Sequence, residues 1–282
     1  MIVFRLLRLW RVYAYLDLMF MTRNLSSVVV YYLSDAVIFG AAITATLLLA
    51  ARFEGIGAWS QAQIVFMLGY ALLTDAIVNV FATYNVYFVS RRIGRGQFDH
   101  TLVQPLPIWL ALFVEGFAPF SGSGALLPAL GLMAWAARGA GVAATPAWLA
   151  LLLLNLFASV VIMTAFSFAW SSLAFWAPRG AEEISSSTNR IMTQLKPFPL
   201  DSVPTLLLSG LLTAVPTGFG AWLPVRALLG IGADSVGPVP ALLVTPLAAL
   251  FFAALGTSIF RKGLRHYART GSQRYVAWGF RR

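Results

Sequence analysis

Four ionisable residues lie inside apolar stretches of the chain: Asp35, Asp75, Glu115 and Arg226. Charged side chains at membrane depth are costly and usually face protein or water, so they mark candidate pathways for ions or substrates. Two of these residues belong to sets of polar residues spaced four apart in the sequence. Asp35 follows Tyr31, and Asp75 is followed by Asn79, Thr83 and Tyr87. Because side chains four apart share a helix face, each set predicts a polar stripe. Such a stripe indicates either a translocation pathway at a subunit interface or hydrogen bonds that hold helices together.

The residue types that carry most catalytic and metal chemistry are missing or scattered. The chain has no cysteine and only two histidines, His100 and His266, which excludes thiol catalysis and leaves no clustered metal ligands. The glycine-rich run at 94–96 lacks the lysine and the spacing of a phosphate-binding loop, and no H-E-x-x-H or G-x-S-x-G motif occurs. We therefore expect no catalytic residue, no metal or other cofactor and no ATP hydrolysis in this chain.

Composition places these residues in a membrane protein. The 282 residues are 59% hydrophobic and only 11% charged, and the mean hydropathy is +0.79, which leaves too little polar surface for a soluble globule. Six stretches reach the roughly 20 apolar residues that a spanning helix needs. They predict an all-α, polytopic membrane domain over residues 28–260, with spans near Val28–Ala51, Gln63–Val89, Ile108–Ala137, Trp148–Ala177, Val203–Leu223 and Val239–Phe260.

Positive charge alternates with these spans. Of the twenty Lys and Arg residues, seventeen lie in four clusters, which precede the first span and follow the second, fourth and sixth. Because cytoplasmic loops of membrane proteins carry an excess of Lys and Arg, this pattern predicts that both termini are cytoplasmic. The same rule accounts for the net charge of +10, so we expect no nucleic-acid partner.

The two ends of the chain are basic. In residues 1–27, Arg5, Arg8 and Arg11 recur every three residues among Leu and Trp side chains. This favours an amphipathic helix in the cytoplasmic membrane interface over a merely solvated basic arm. Residues 261–282 predict a basic cytoplasmic tail that is attracted to membrane lipids.

Two further segments have a predicted local structure. Residues 181–196 predict a cytoplasmic helix, which would rest on the membrane, on a partner or along the fourth span with one face made of Ile184, Thr188, Ile191, Met192 and Leu195. Glycine and proline interrupt the third and fifth predicted spans, which is typical of non-helical backbone facing protein or water, or of close helix packing.

The segment between the second and third spans, residues 90–107, reads SRRIGRGQFDHTLVQPLP. Its run from Arg92 to Asp99, with Leu102 and the Pro105 to Pro107 stretch, resembles the short cytoplasmic loop of type-2 ABC exporter permeases. Weaker matches follow at residues 181–204, with Glu182, Asn189 and the run Phe198 to Asp201, and at residues 223–230. In related exporters the stretch after the fifth span forms short re-entrant helices, so the resemblance implies that residues 224–238 are a candidate re-entrant segment. The loop departs from the family pattern at Gln104, where we expect an arginine before the proline.

In that family this loop forms a coupling helix that docks on an ATPase. The resemblance implies that the residues that couple this chain to an ATPase are Arg91, Arg92, Arg95, Phe98, Asp99, Leu102 and Gln104. The loop's own residues agree, since Gly94 and Gly96 allow a tight turn and Asp99 can stand near the amino end of a short helix. Pro105 and Pro107 would then end the helix. From the residues alone, an ordinary basic loop is the alternative.

The resemblance implies the permease subunit of an ATP-driven exporter in the cell membrane, working as a homodimer or heterodimer. Two copies of a separate ATPase subunit would bind ATP and Mg. A second hypothesis is a secondary transporter driven by an ion gradient, with Asp35, Asp75 or Glu115 as the titrating site. A third is a non-transporting membrane scaffold or immunity protein. The few polar groups in the spans favour an amphipathic or lipidic cargo.

Overall fold

The computed structural model describes residues 2–23, 25–52, 58–82, 86, 89–232, 235–236 and 238–271. These residues are mainly α-helical, with 3₁₀ turns at Leu173–Phe175 and Thr217–Phe219 and a small antiparallel pair of strands, β1 (Ser235–Val236) and β2 (Val239–Pro240). The helices follow in the order α1 (Ile2–Arg23), α2 (Leu25–Arg52), α3 (Gln61–Phe81), α4 (Val89–Gly94), α5 (Phe98–Leu102), α6 (Ile108–Glu115), α7 (Leu126–Gly139), α8 (Pro146–Ser172), α9 (Pro178–Leu195), α10 (Thr205–Thr213), α11 (Trp222–Leu228) and α12 (Ala241–Thr270).

Within the described ranges, four helical segments are long and apolar enough to cross a membrane. They are Val28–Ala45 in α2, all of α3, α8 with its turn to Phe175, and α12. A fifth crossing results if α10 and Thr217–Leu228, which are bent by 71° at their junction, are counted as one span. The predicted all-α class with several spans is therefore confirmed, but a count of six is not.

The third predicted span is two short helices, α6 and α7, joined by residues 116–125. Pro119 lacks a backbone N–H and a helix cannot continue through it without losing a hydrogen bond. The joining backbone finds its partners elsewhere: the N–H groups of Phe120 and Ser121 donate to the Asp17 carboxylate at 2.8 and 3.0 Å, and that of Ala118 donates to the Val80 carbonyl at 2.9 Å. Irregular backbone at membrane depth needs such partners.

The amino-terminal segment forms α1, which is attached to the bundle along its length. Arg5 donates to the Pro105 carbonyl at 3.1 Å, Trp10 stacks on Phe117 with ring centroids 5.1 Å apart, and Asp17 caps the joint between α6 and α7. A helix in the predicted segment is thus present. Its place in the membrane interface stays a prediction.

The core is built around two close helix pairs, α3 with α7 and α8 with α12. Glycine makes both approaches possible: a Cβ at Gly69 would lie 2.9 Å from the Met133 backbone nitrogen, and one at Gly256 would lie 2.8 Å from the Ala165 carbonyl oxygen. Small residues at such crossings are common in membrane bundles, because lipid supplies no hydrophobic drive for helices to associate and close backbone packing has to replace it.

Helix α9 runs back along α8, but not with the predicted apolar face, most of which is left on the outside. Ile184, Ile191 and Leu195 are exposed, and the buried positions are Ala181, Ser185, Met192 and Lys196. The reason is the polar surface that α8 presents to this helix. Ser171 bonds Ser185 at 3.0 Å and Ser167 bonds Asn189, so small and polar residues of α9 face α8 and the larger apolar ones face outward.

Helix α12 continues well past the predicted end of the sixth span. Residues 261–270, assigned above to a basic tail, are the last turns of this helix, and Gly263 and Tyr267 are buried there. A Cβ at Gly263 would lie 2.3 Å from the Phe175 ring, so the helix is pressed against the end of α8. The rest of the predicted tail, residues 272–282, lies outside the described residues.

Candidate functional site

The loop between the second predicted span and α6 is made of two short helices, α4 and α5. Gly96 joins them with a φ of 71°, a left-handed conformation that glycine adopts without strain. The N–H of Gly96 donates to the Ile93 carbonyl at 3.0 Å and that of Gln97 to the Arg92 carbonyl at 2.8 Å, which closes the end of α4. The predicted short helix is present as α5, and it ends at Leu102, before Gln104.

Phe98 and Asp99 face the bundle. The Phe98 ring is fully buried and makes edge-to-face contacts with Phe175 at 5.3 Å and with Tyr267 at 5.7 Å. The Tyr267 hydroxyl donates to Asp99 Oδ1 at 2.7 Å. Both residues therefore fasten α5 to the ends of α8 and α12, and neither side chain is on the outer surface of the loop.

Arg92 and Gln104 also turn inward, and they meet on Glu115. Arg92 Nη2 lies 2.7 Å from Glu115 Oε2, and Gln104 Nε2 donates to Glu115 Oε1 at 2.6 Å. Burial, with the nearby Glu115 charge, raises the pKa of Tyr13 on α1, which keeps that phenol neutral. Glu115 thus ties the start and end of the loop to α6.

Arg91 reaches α9, where its Nε lies 3.1 Å from Glu182 Oε1 with both side chains partly exposed. Arg95 is exposed, as are Leu102 and Val103, the latter at 80%. We call Arg91, Arg95, Leu102 and Val103 the outer face of the loop. It offers positive charge beside apolar side chains.

A second group of polar residues surrounds the bend between α10 and α11. Lys196 is 1% exposed and forms an ion pair with Asp75 of α3. The Ser159 hydroxyl donates to the Phe219 carbonyl at 2.8 Å and bonds the Tyr70 hydroxyl at 3.0 Å, while Thr74 shares its hydroxyl between the Tyr70 carbonyl at 2.9 Å and that of Gly220 at 3.4 Å. We call Tyr70, Thr74, Asp75, Ser159, Lys196 and the turn Thr217–Phe219 the polar bend.

A family model described as an ABC-2 family transporter protein matches residues 36–271 of this chain. The chain belongs to the ABC-2 transporter family. The match includes the loop, the polar bend and the whole of α12, so this ABC-2 protein is a multi-pass membrane permease, a transport component that is not itself catalytic. No curated protein and no solved structure matches the chain.

The four intramembrane charges of this ABC-2 protein do not converge on one pathway. Asp75 belongs to the polar bend, and Glu115, at the end of α6, holds Arg92 and Gln104 of the loop. Asp35 lies beside the joint between α6 and α7, where its Oδ2 is 3.2 Å from the position a Cβ on Gly124 would take. Arg226 donates to the Ile231 carbonyl at 3.0 Å and approaches Asp201 at 3.5 Å, within the candidate re-entrant segment.

The polar stripe of the second predicted span is described only in part. Asp75 and Asn79 lie on α3, which ends at Phe81. Thr83 and Tyr87 lie outside the described residues, as does the side chain of Tyr31. Asn79 lies against the joint of α6 and α7, since a Cβ on Gly122 would be 2.8 Å from its carbonyl oxygen.

Three residues of the ABC-2 protein were missed as site residues. Lys196 was assigned to the end of a cytoplasmic helix, and Asp17 to an interfacial one. Asp201 accepts hydrogen bonds from the indoles of Trp59 and Trp222 besides its contact with Arg226. For Asp201 the sequence did offer a signal, because this residue lies in a stretch that resembles the exporter permeases. For Lys196 it offered none, because its partner Asp75 is 121 residues away in sequence.

Proposed function

We propose that this ABC-2 protein is the permease subunit of an ATP-driven exporter. Two permease subunits, identical or paralogous, would form the translocation pathway. Two copies of a separate ABC ATPase would bind ATP and Mg and dock on the outer face of the loop, and the protein would lie in the cell membrane with both termini and this loop in the cytoplasm.

The observation that carries the proposal is the division of the loop into two sides. Arg92, Phe98 and Asp99 fix the loop to the bundle from within. Arg95, Leu102 and Val103 stay on the outside. A loop that served only to connect two spans would need no such anchoring, because connecting segments are ordinarily mobile. An anchored loop with a basic and apolar outer surface is suited to receive a partner and to transmit its movement.

The residues that anchor the loop determine which helices would move when the loop is displaced. Phe98 contacts α8 and α12 through the rings of Phe175, Phe260 and Tyr267. Arg92 contacts α6 through Glu115, and Arg91 contacts α9 through Glu182. Closure of the ATPase dimer would therefore move the cytoplasmic ends of four helices together, since tightly packed interiors transmit displacement and compress little.

The contacts of the acidic residues favour the exporter over an ion-driven transporter. Asp75 is paired with Lys196, and Glu115 receives both Arg92 and Gln104. Two of the three acidic residues that an ion-driven transporter could use are thus already engaged by partners from this chain.

The proposal is tested by co-expressing the chain with each candidate ABC ATPase subunit of the same genome. We expect one of these subunits to copurify with the chain, and we expect Arg95→Glu to lower the ATP turnover of the complex while leaving the permease folded. The matched control is Arg138→Glu, which reverses an exposed arginine at the end of α7. The proposal is wrong if the proteins never copurify, or if both charge reversals leave turnover unchanged.

A further inference from the structure

A long apolar cavity of about 660 Å³ lies between α1, α3, α6, α8 and α12. Its wall on α8 extends from Leu153 to Phe168, which corresponds to about 22 Å along a helix. Leu153 and Phe157 are 64% and 69% exposed, so the cavity opens sideways from the bundle at that end. Pockets of this volume commonly hold a ligand of small-molecule size.

Two polar groups on this wall have no partner within the described part of the chain. The hydroxyl of Thr164, a residue about nine-tenths buried, makes no hydrogen bond, and the indole N–H of Trp10 makes none either. Buried polar groups are normally satisfied, so each unsatisfied one requires an explanation. Both groups can donate a hydrogen bond, and because neither atom is accessible in the empty cavity, a ligand with acceptor oxygens would satisfy them once the lining side chains shift to admit it.

The cavity continues toward basic residues at one end. Thr257 lines it, and exposed Arg261 follows one helical turn later on the same face of α12. Arg8 and Arg11, on either side of Trp10 in α1, are exposed as well. These residues lie at the same end of the bundle, because α1 contacts the loop at Pro105 and α12 contacts the loop at Asp99.

The spacing of these features fits the plan of a phospholipid. Gly256 packs on Ala165, so Thr164 is nearly level with Gly256, and Arg261 is about 7.5 Å further along α12. In the other direction, the distance from Thr164 to Leu153 is about 16 Å along α8, close to half of the roughly 30 Å hydrocarbon core of a bilayer. A phospholipid placed along this cavity would therefore have its phosphate near Arg261, its ester oxygens near Thr164 and an acyl chain along the apolar wall toward Leu153.

We propose that this cavity binds one anionic membrane phospholipid, with an acyl chain between Thr164 and Leu153. The ester oxygens accept from Thr164 and Trp10, and the phosphate lies near Arg261. The site is separate from the outer face of the loop and from the polar bend, and the inference does not depend on coupling to an ATPase.

Native mass spectrometry of the purified full chain tests the proposal, with dioleoyl phosphatidylglycerol and dioleoyl phosphatidylcholine offered at equal concentration. We expect preferential retention of the anionic lipid. Val161→Trp fills the cavity and should lower retention of both lipids by at least about tenfold, because each buried methylene contributes to binding. The matched control is Leu250→Trp, which adds the same ring at a 70% exposed position of α12 outside the cavity.

A second variant tests the headgroup site without filling the cavity. Arg261→Gln should lower retention of phosphatidylglycerol alone by about fivefold, the contribution of one basic residue near an anionic headgroup. Lys262→Gln, one position around the helix, should change it less. The proposal is overturned if the two tryptophan variants retain lipid equally, or if Arg261→Gln leaves the preference for the anionic lipid intact. It is also overturned if Val161→Trp changes the number of protein subunits in the complex and leaves the number of bound lipids unchanged.

Discussion

The outer face of the loop and the polar bend both use charged residues, but in different surroundings. On the outer face of the loop, Arg91 forms an ion pair with Glu182 in which both side chains keep contact with solvent, and the loop is held to the bundle from within by the buried ring of Phe98 and the pair of Arg92 with Glu115. In the polar bend, Lys196 is 1% exposed and its charge is enclosed by the bundle. Surface ion pairs contribute little to stability, whereas breaking a buried pair is expensive.

The difference indicates what each region has to do. The polar bend satisfies backbone carbonyls that the turn between α10 and α11 leaves outside a helix, so its polar groups replace water. On the outer face of the loop, Arg91 and Arg95 keep contact with solvent. If this contrast holds, substitutions in the polar bend should act mainly on stability and substitutions on the outer face of the loop mainly on association.

The largest effect is expected for Lys196→Met. It leaves Asp75, whose side chain is 27% exposed, without its partner, so the cost should lie near the lower end of the range of about 3–5 kcal/mol found when one member of a fully buried pair is removed. Denaturant titration in mixed micelles measures the free energy of unfolding. The double variant Lys196→Met with Asp75→Leu should regain most of the loss; a double variant no more stable than the single one would show that the pair is not what the substitution disrupts.

Phe98→Leu is expected to have the next largest effect on stability. Leucine keeps most of the apolar volume but loses the edge-to-face contacts with Phe175, Phe260 and Tyr267, which together should contribute about 1–2 kcal/mol. The same titration measures it. Phe157→Leu, at an exposed position on α8, is the control and should change the free energy of unfolding far less.

Ser159→Ala removes one hydrogen-bond donor from the polar bend. The Phe219 carbonyl and the Tyr70 hydroxyl both lose a partner, for an expected cost of about 1 kcal/mol, in the range found for hydrogen bonds within membrane bundles. Comparison with Tyr70→Phe in a double-mutant cycle separates the two bonds. Additive effects of the two substitutions would contradict the proposed network.

The smallest effect on stability is expected for Arg91→Gln. The ion pair with Glu182 is partly exposed and should contribute less than about 1 kcal/mol. Salt should weaken even this contribution, because exposed charges are screened. A loss of stability as large as that of Lys196→Met would erase the contrast between the two regions.

The features that local sequence could predict are those whose cause is local. The short helix α5 was predicted from Gly96 and the flanking prolines, and the spanning helices α3, α8 and α12 from runs of apolar residues. The interruption of the third predicted span was visible in its glycines and prolines, although the span was still counted as one helix. Proline and glycine act on their own neighbourhood, so their effects can be read from the chain.

The features that sequence could not predict depend on residues far apart in the chain. The partner of Lys196 lies on α3, and the residues of α9 that are buried are selected by the serines that α8 presents to it. Arg92 and Gln104 were assigned to ATPase contact, yet both turn toward Glu115. Periodicity indicates which residues share a face, but the chemistry of the surface that covers this face decides which residues are buried.

Cysteine cross-linking tests the proposed docking surface most directly, because the chain has no cysteine of its own. A single Arg95→Cys variant would carry a thiol-reactive photo-cross-linker and be combined with the ATPase subunit, with Arg138→Cys as the control. We predict that the ATPase is captured from Arg95→Cys and that ATP alters the yield, while Arg138→Cys captures none. Equal capture from both positions, or none from Arg95→Cys in a complex that still copurifies, would contradict docking on the outer face of the loop.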